Sequence, residues 1–442
     1  MRRSLLIALA AALCTCSTAG AAAGRTAGEP LQSQEWWLAH IGADPESAPG
    51  PGVPITVVDS GADPSHPEFA GRPNTTFLND QTIEGAGEYH GSAVASLAAA
   101  PANGAGIVGV YPQAVLQIWD ASPVPGLAEA DLVAGIDAAA THCPGVINLS
   151  FSGTGRSTAL EDAILGAFHN GCLVVAAAGN TGLQGNPATY PGAFPHVLTV
   201  GATDQNDAPA PFSTIGPTVD LAAPGVGLVA AVPASHDPSG YSSGLDGTSF
   251  ATPLVSAAAA WVWTLRPTLD VTQLFDLLRL TARDVGSPGF DLATGRGIVD
   301  IPHALAAAPP APDPAEPNDD VDQVRPGALF ADGRPALTTS SRTSSRIAGR
   351  IDENEDPRDV YRIWVPAHRV VRVSVNAGGD AAARIWGPQT VAVGEGILSR
   401  RRDLKGPLIR GRSKGYVAYV EVLLTGRSAG ATYVLSVTAS RR

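Results

Sequence analysis

Val57-Val58-Asp59-Ser60-Gly61 is an apolar run that stops on a carboxylate and a turn, and its reading decides the fold. A charge at the end of a buried strand is expensive unless it is paired. Four further short runs share its Val/Ile/Leu-rich character, at 115–119, 146–151, 173–178 and 197–200. Between them the apolar spacing turns helical, in Leu132, Val133, Ile136 and Ala140, and again in Leu160, Ile164, Leu165 and Phe168 before Gly171 as a stop. Strands apolar on both faces, alternating with helices, imply an α/β fold with a mainly parallel sheet and helices on both faces. Later helices are expected from Ser249 to about Leu265 and over 272–282.

The chain has 442 residues and an apolar fraction of 44%, enough for one large core and a second domain. Arg2 and Arg3 precede an apolar run at 5–13 and then small residues, the layout of a secretory signal peptide over 1–21. That run is too short to span a membrane, and the residues before Cys14 and Cys16 make a poor lipidation box. The expectation is therefore a secreted protein, extracellular or periplasmic, with no membrane span, and a short extension over 22–35. An exported chain would then keep Cys143 and Cys172. Each lies just before a strand, and adjacent parallel strands would bring the two together as a disulfide; two buried free thiols are the alternative.

Charge divides unevenly. Up to Gln323 there are 9 basic and 31 acidic residues, a net of −22; from Val324 onward the net is +10. The acidic part argues against nucleic acid as a partner, and the plain meaning of both charges is a solvated surface.

Beyond Ala308 the Pro-rich run from Pro309 to Pro317 reads as an extended linker, assigned to 308–323. Val371, Val373 and Val375 then alternate with polar residues, as do Tyr433, Leu435 and Val437. With strand candidates at 359–366 and 416–424, residues 324–442 read as a small all-β sandwich.

Three motifs carry chemistry. His90-Gly91-Ser92-Ala93 opens a small-residue helix, and Gly247-Thr248-Ser249-Phe250-Ala251-Thr252-Pro253 opens another, placing the Ser249 hydroxyl and N–H at a helix N-terminus, where anionic charge is favoured. Pro253 is expected to cost little there, because first-turn amides have no intrahelical partner. Ala177-Ala178-Gly179-Asn180 places an amide at a strand end. Each motif has a bland meaning: an N-cap for Thr248 or Ser249, an Asx turn for Asp59, a turn for Asn180. His66 reads as a structural histidine.

Together the motifs resemble the subtilisin-like serine proteases, in the chain order Asp59, His90, Ser249 and in the intervals of 31, 90 and 69 residues linking Asp59, His90, Asn180 and Ser249. Ile147-Asn148-Leu149-Ser150-Phe151, Tyr190-Pro191-Gly192, Leu221-Ala222-Ala223-Pro224-Gly225 and Gly295-Arg296-Gly297-Ile298-Val299-Asp300 extend the resemblance over about 36–307. It implies a serine endopeptidase acting on protein or peptide substrates through an acyl-enzyme. Ser249 would be the nucleophile, His90 the base, Asp59 its orienting acid, and Asn180 with the Ser249 N–H the oxyanion donors, with Thr248 in support. Ser150, Phe151, Ser152, Gly153, Ala178, Gly179 and Thr189 would bind substrate, with Ala177, Thr181 and Ala188 as further wall residues. No cofactor is required for that chemistry, and a monomer is expected.

Departures from the family pattern are Ser92 for Thr, Phe250 for Met, Leu254 for His and Ser152 for Gly. About a dozen residues between the signal and Trp36 are too few for the folding-assistant prodomain that many secreted relatives carry. Glu68 and Asn103 align with a structural calcium site of the family, and equally suit a surface acid and a turn residue. Glu316-Pro317-Asn318-Asp319 and the strands after it resemble the pre-peptidase-type C-terminal β-sandwich found after secreted bacterial peptidases.

Overall fold

In the computed structural model, residues 28–81, 88–122, 126–313, 315–329, 334–352, 356–377, 381–393, 401–403, 408–425 and 430–441 are described. The signal peptide and the start of the extension lie outside them. Among the described residues no helix is long and apolar enough to cross a membrane.

The strands β1 (Ile55–Asp59), β2 (Thr75–Phe77), β3 (Leu116–Asp120), β4 (Val146–Leu149), β5 (Leu173–Ala177), β6 (Val197–Thr203) and β7 (Leu221–Pro224) form one parallel sheet in the order β2-β3-β1-β4-β5-β6-β7. Side chains alternate between the two faces of a strand, and here both faces are apolar. Ile55 and Val57, Leu173 and Val175 enter one core; Val58, Ile147, Leu149, Val174 and Ala176 enter the other. Helices α2 (His90–Ala99) and α5 (Thr248–Leu265) fill the first core, and α3 (Glu129–Ala140) and α4 (Thr158–His169) the second. Short α1 (Trp36–His40), α6 (Val271–Leu280), α7 (Ile301–Ala306) and the hairpin β8 (Leu228–Ala231) with β9 (Tyr241–Leu245) complete this part. β4 pairs with β5 in register Val146↔Leu173, which brings Cys143 and Cys172 to a Cα separation of 5.0 Å, bonded as a disulfide.

Two four-stranded antiparallel sheets follow. One is β10 (Ser344–Asp352), β17 (Gly430–Arg441), β12 (Arg369–Ala377) and β15 (Leu408–Arg410); the other is β11 (Arg358–Val365), β16 (Tyr416–Leu424), β13 (Ala381–Trp386) and β14 (Arg401–Asp403). Val371, Val373, Leu435 and Val437 from the first sheet and Ile363, Val365, Val420 and Val422 from the second make their common core.

The extended linker needs correction. Asp320 caps a four-residue helix, α8 (Val321–Val324), in a capping box with Gln323, and Val321 and Val324 pack against Val360, Trp386 and Tyr419 of the sandwich. The prolines stop regular structure only as far as Pro317; beyond them, Val321 and Val324 gain more by burial than the segment gains by staying extended. The two parts are also joined by ion pairs, Arg279 of α6 to Asp352 of β10 at 2.9 Å, both buried, and the partly exposed Arg350 to Asp276.

Candidate active site

In a parallel sheet the crevice for ligands lies beyond the carboxyl ends of the strands, where the strand order reverses. Here that point falls between β1, which is followed outward by β2 and β3, and β4 on its other side. Asp59 ends β1, Ser150 follows β4, Gly179 and Asn180 follow β5, and His90 and Ser249 start α2 and α5. All four expected catalytic positions therefore lie at one end of the sheet.

Asp59 is 1% exposed, and its Oδ1 accepts from the Ser60 N–H at 2.7 Å and lies 2.8 Å from His90 Nδ1. That contact leaves Nε2 as the free ring nitrogen on a side chain still 32% exposed. Burial opposes charging of the imidazole, but the Asp59 carboxylate, by its charge and its hydrogen bond, outweighs it, so His90 titrates above its ordinary value. The start of α2 is pinned to the end of β1: the Gly91 N–H donates to Ser60 Oγ at 3.0 Å, and a Cβ at Gly91 would sit 1.9 Å from the Gly61 carbonyl oxygen. A glycine after the histidine is thus a packing requirement of this helix start.

Asn180 is exposed, and its Oδ1 accepts from both the N–H and the hydroxyl of Thr248 at 3.0 Å. Because an N–H can only donate, these bonds fix which amide atom is oxygen and turn the Nδ2 donors the other way. Thr248 Oγ1 also accepts from the Gly179 N–H at 3.1 Å. Thr248 therefore orients the amide instead of facing the cleft. Ser249, half-buried, is the second residue of α5, and the ring of the next residue, Phe250, lies 5.6 Å from that of His90.

The expected place of Pro253 among the partnerless first-turn amides is overturned. Pro253 is the sixth residue of α5, past the first turn, so it deprives the Ser249 carbonyl of its i+4 donor. Ser150 Oγ takes that place at 2.8 Å, itself accepting from Asn148 Nδ2 at 2.9 Å. Ser150, expected to bind substrate, thus turns its side chain to α5, one residue past the end of β4 at Leu149.

The remaining expected substrate residues fall into two places. An added Cβ on Gly179, whose φ is +100°, would meet Thr189 Cγ2 and Thr214 Oγ1 at 3.0 Å and Ser152 Oγ at 3.1 Å, so Ser152, Gly179, Thr189 and Thr214 share one small uncharged space. Thr189 is held there by donating to the Ala178 carbonyl at 2.5 Å. Gly153 pairs with Tyr190 in both directions, N–H to carbonyl, at 2.9 and 2.7 Å. Phe151 packs against the α3/α4 core. Thr214, distant in sequence and with no motif around it, gave no signal.

Glu68 and Asn103 do come together, but as placed they do not form a calcium ligand set. Glu68 Oε1 accepts from the Tyr241 hydroxyl at 2.9 Å and the Ile107 N–H at 3.2 Å, and Oε2 from Asn103 Nδ2 at 3.4 Å, while Asn103 Oδ1 accepts from the Ala105 N–H. The loop also donates its Gly104 and Val108 N–H groups to Glu29 and Glu35. Burial pushes Glu68 up to about 7 and Glu35 up to about 8. Neither glutamate of the extension carried a sequence signal for this role. His66 is structural as expected, its Nε2 2.8 Å from the Gly240 carbonyl.

A parallel sheet with a carboxylate–imidazole pair at one strand end and a serine at the start of a buried central helix defines a class of α/β enzymes with chemistry at the carboxyl edge of the sheet. The Subtilase family model matches residues 50–297, and the chain belongs to that family. It is 34% identical over 255 residues to Subtilisin DY from Bacillus licheniformis, covering 57% of this chain and 90% of that one. It is 34% identical over 256 residues to Subtilisin NAT from Bacillus subtilis subsp. natto, a match that spans 65% of that protein. Among solved structures, a protease from Pseudoalteromonas arctica PAMC 21717 superposes with a TM-score of 0.55 at 26% identity, covering 64% of this chain and 99% of that one.

Proposed function

We propose that the chain is a secreted serine endopeptidase that hydrolyses peptide bonds through an acyl-enzyme on Ser249. The observation that carries this reading is the Asp59–His90 contact at 2.8 Å, at the same sheet end as an Asn180 amide anchored to the residue before Ser249. His90 Nε2 takes the Ser249 proton as the hydroxyl attacks the scissile carbonyl, and returns it to the leaving amine. Asp59 holds the Nδ1–H tautomer and stabilises the imidazolium. Asn180 Nδ2 and the Ser249 N–H, unpaired as a first-turn amide, donate to the tetrahedral oxyanion. A second cycle with water releases the acyl group, so the protein's own residues supply all the groups the reaction uses.

A fluorophosphonate probe tests this. Covalent labelling at Ser249, abolished in Ser249→Ala, is the expected result. An unlabelled, well-folded parent chain would instead make it a binding protein on an enzyme scaffold.

A further inference from the structure

The sandwich carries its charges unevenly. Asp352, Asp359 and Glu421 of its strands are buried, whereas Arg346, Arg372 and Arg410 are exposed. All three arginines belong to the sheet β10-β17-β12-β15 and to the face turned away from the core. Their chain neighbours Ile347, Val371, Val373 and Ile409 point inward, and side chains alternate across a strand. At one end of this face Arg350 and Asp352 meet Asp276 and Arg279 of α6; the rest of it is open.

Register sets the arginines on one line. Arg346 pairs with Ser436, which stands opposite Ser374, two residues from Arg372; Arg372 pairs with Leu408, two residues from Arg410. With strands about 4.8 Å apart and a rise of about 3.4 Å per residue, the steps are about 12 and 8 Å, a diagonal of about 20 Å across four strands. The hydroxyls of Ser374, Ser436 and Thr438 lie beside it. The diagonal runs to the sheet end where Arg369 stands directly opposite Arg441, a like-charge pairing that is destabilising on its own. The sandwich arginines that pair with acids are others, Arg350, Arg358 and Arg384. Among the described residues these five have no such partner.

We propose that this face binds an acidic polysaccharide, carboxylated or sulfated, and anchors the protein to it. Unpaired guanidinium groups call for an anion, and their spread over the sheet calls for one with repeated charges. Arginine takes carboxylates and sulfates through paired N–H donors, and the hydroxyls between suit those of sugars. A single-stranded nucleic acid would need aromatic rings on which to stack its bases, but Tyr433, the one aromatic residue of these four strands, points into the core. A membrane would need large apolar groups to insert, and among the described residues none of the exposed ones lies on this face. The rest of the chain gives the anchor its sense. Up to Gln323 the net charge is −22, which repels the same polymer, so a bound chain engages the sandwich and leaves the cleft to protein substrates.

Binding of the full chain to heparin and to polygalacturonate, measured by titration calorimetry at low salt, tests this, with neutral dextran, single-stranded DNA and anionic vesicles for comparison. The expected result is binding to one or both acidic polysaccharides that weakens as salt rises, the two separating sulfate from carboxylate. Arg346→Gln with Arg372→Gln should weaken it at least tenfold. Arg156→Gln with Arg325→Gln removes the same charge from exposed sites elsewhere and should change it less than twofold. Thermal unfolding by circular dichroism should coincide in all three proteins, so that lost binding is not lost fold. No binding of either polysaccharide by the parent, or equal losses in the two double variants, would overturn the proposal. So would tighter binding to DNA or to vesicles. Salt-sensitive self-association without polysaccharide, abolished by Arg346→Gln with Arg372→Gln, would give the face to the acidic part of a second copy and overturn it too.

Discussion

Ser150 Oγ donates to the Ser249 carbonyl at 2.8 Å, filling the position that Pro253 leaves without a donor in α5. The proline and the distant serine are thus one device, which holds the first turn carrying Ser249 against the end of β4. Ser150→Ala should leave that part-buried carbonyl without its donor and cost about 0.5–1.5 kcal/mol of stability, measurable by urea unfolding. Turnover should fall more than substrate affinity, because the displaced group is the proposed nucleophile. A variant with parental stability and kcat would show that the contact has no such role.

Asn180→Ala should lower kcat by roughly 10²- to 10³-fold with KM little changed, since the lost donor acts mainly on the oxyanion. Asn180→Asp separates orientation from donation: its carboxylate can still accept from Thr248, yet it presents no N–H. Steady-state kinetics on a peptide substrate should find both variants defective, and an active Asn180→Asp enzyme would refute the oxyanion role.

If His90 is the base as proposed, its raised pKa should set the acid limb of activity. Only the neutral imidazole can take the Ser249 proton, so kcat/KM should fall as pH drops, with its inflection above the ordinary 6.5. The stability sign is the reverse. Because the folded pKa is raised, the contribution is fully present below the unfolded value and is lost as pH rises through the folded one. Asp59→Asn removes the raising charge and leaves the burial, so the inflection should move down while kcat drops about 10⁴-fold. An unmoved inflection in the variant would assign the titration to another group.

Cys143 and Cys172 are 29 residues apart in sequence, and their bond closes a loop worth about 3–4 kcal/mol in the chain-entropy description. Reduction, or Cys143→Ala with Cys172→Ala, should lower the unfolding midpoint in urea by a corresponding amount. Alkylation of the unreduced, denatured protein should label neither cysteine.

What was legible in the sequence was local. Asp59, His90, Asn180 and Ser249 each sit in a short motif whose backbone needs, such as the glycine after His90, are met by neighbours in the chain. The central strands were readable because both their faces are buried, so the whole run is apolar. Long-range pairings were not readable. The job of Ser150 depends on the first turn of α5, 99 residues away, packing on the end of β4, and the Glu29 and Glu35 contacts depend on a loop some 70 residues away. The buried connection was hidden by its prolines: 309–317 has the composition of a solvated linker, and only the fold shows that the Asp313 and Glu316 side chains are buried.

We propose that the space around Gly179 receives the substrate side chain and sets specificity. Thr189 Cγ2, Thr214 Oγ1 and Ser152 Oγ close in on it within 3.1 Å of where a Cβ would stand, and none of these residues is charged. A basic or acidic substrate side chain there would lose its hydration without gaining a counter-ion, a cost of several kcal/mol, whereas an apolar one gains from burial. Cleavage should therefore follow neutral side chains of small to medium size, such as Ala, Leu or Met. Ser152→Gly removes one wall group and should shift the preference toward Phe and Tyr without raising cleavage after Lys. A peptide-library profile of both proteins checks this. Dominant cleavage after Arg or Lys in the parent would place an acidic group in the pocket and reject this assignment of its walls.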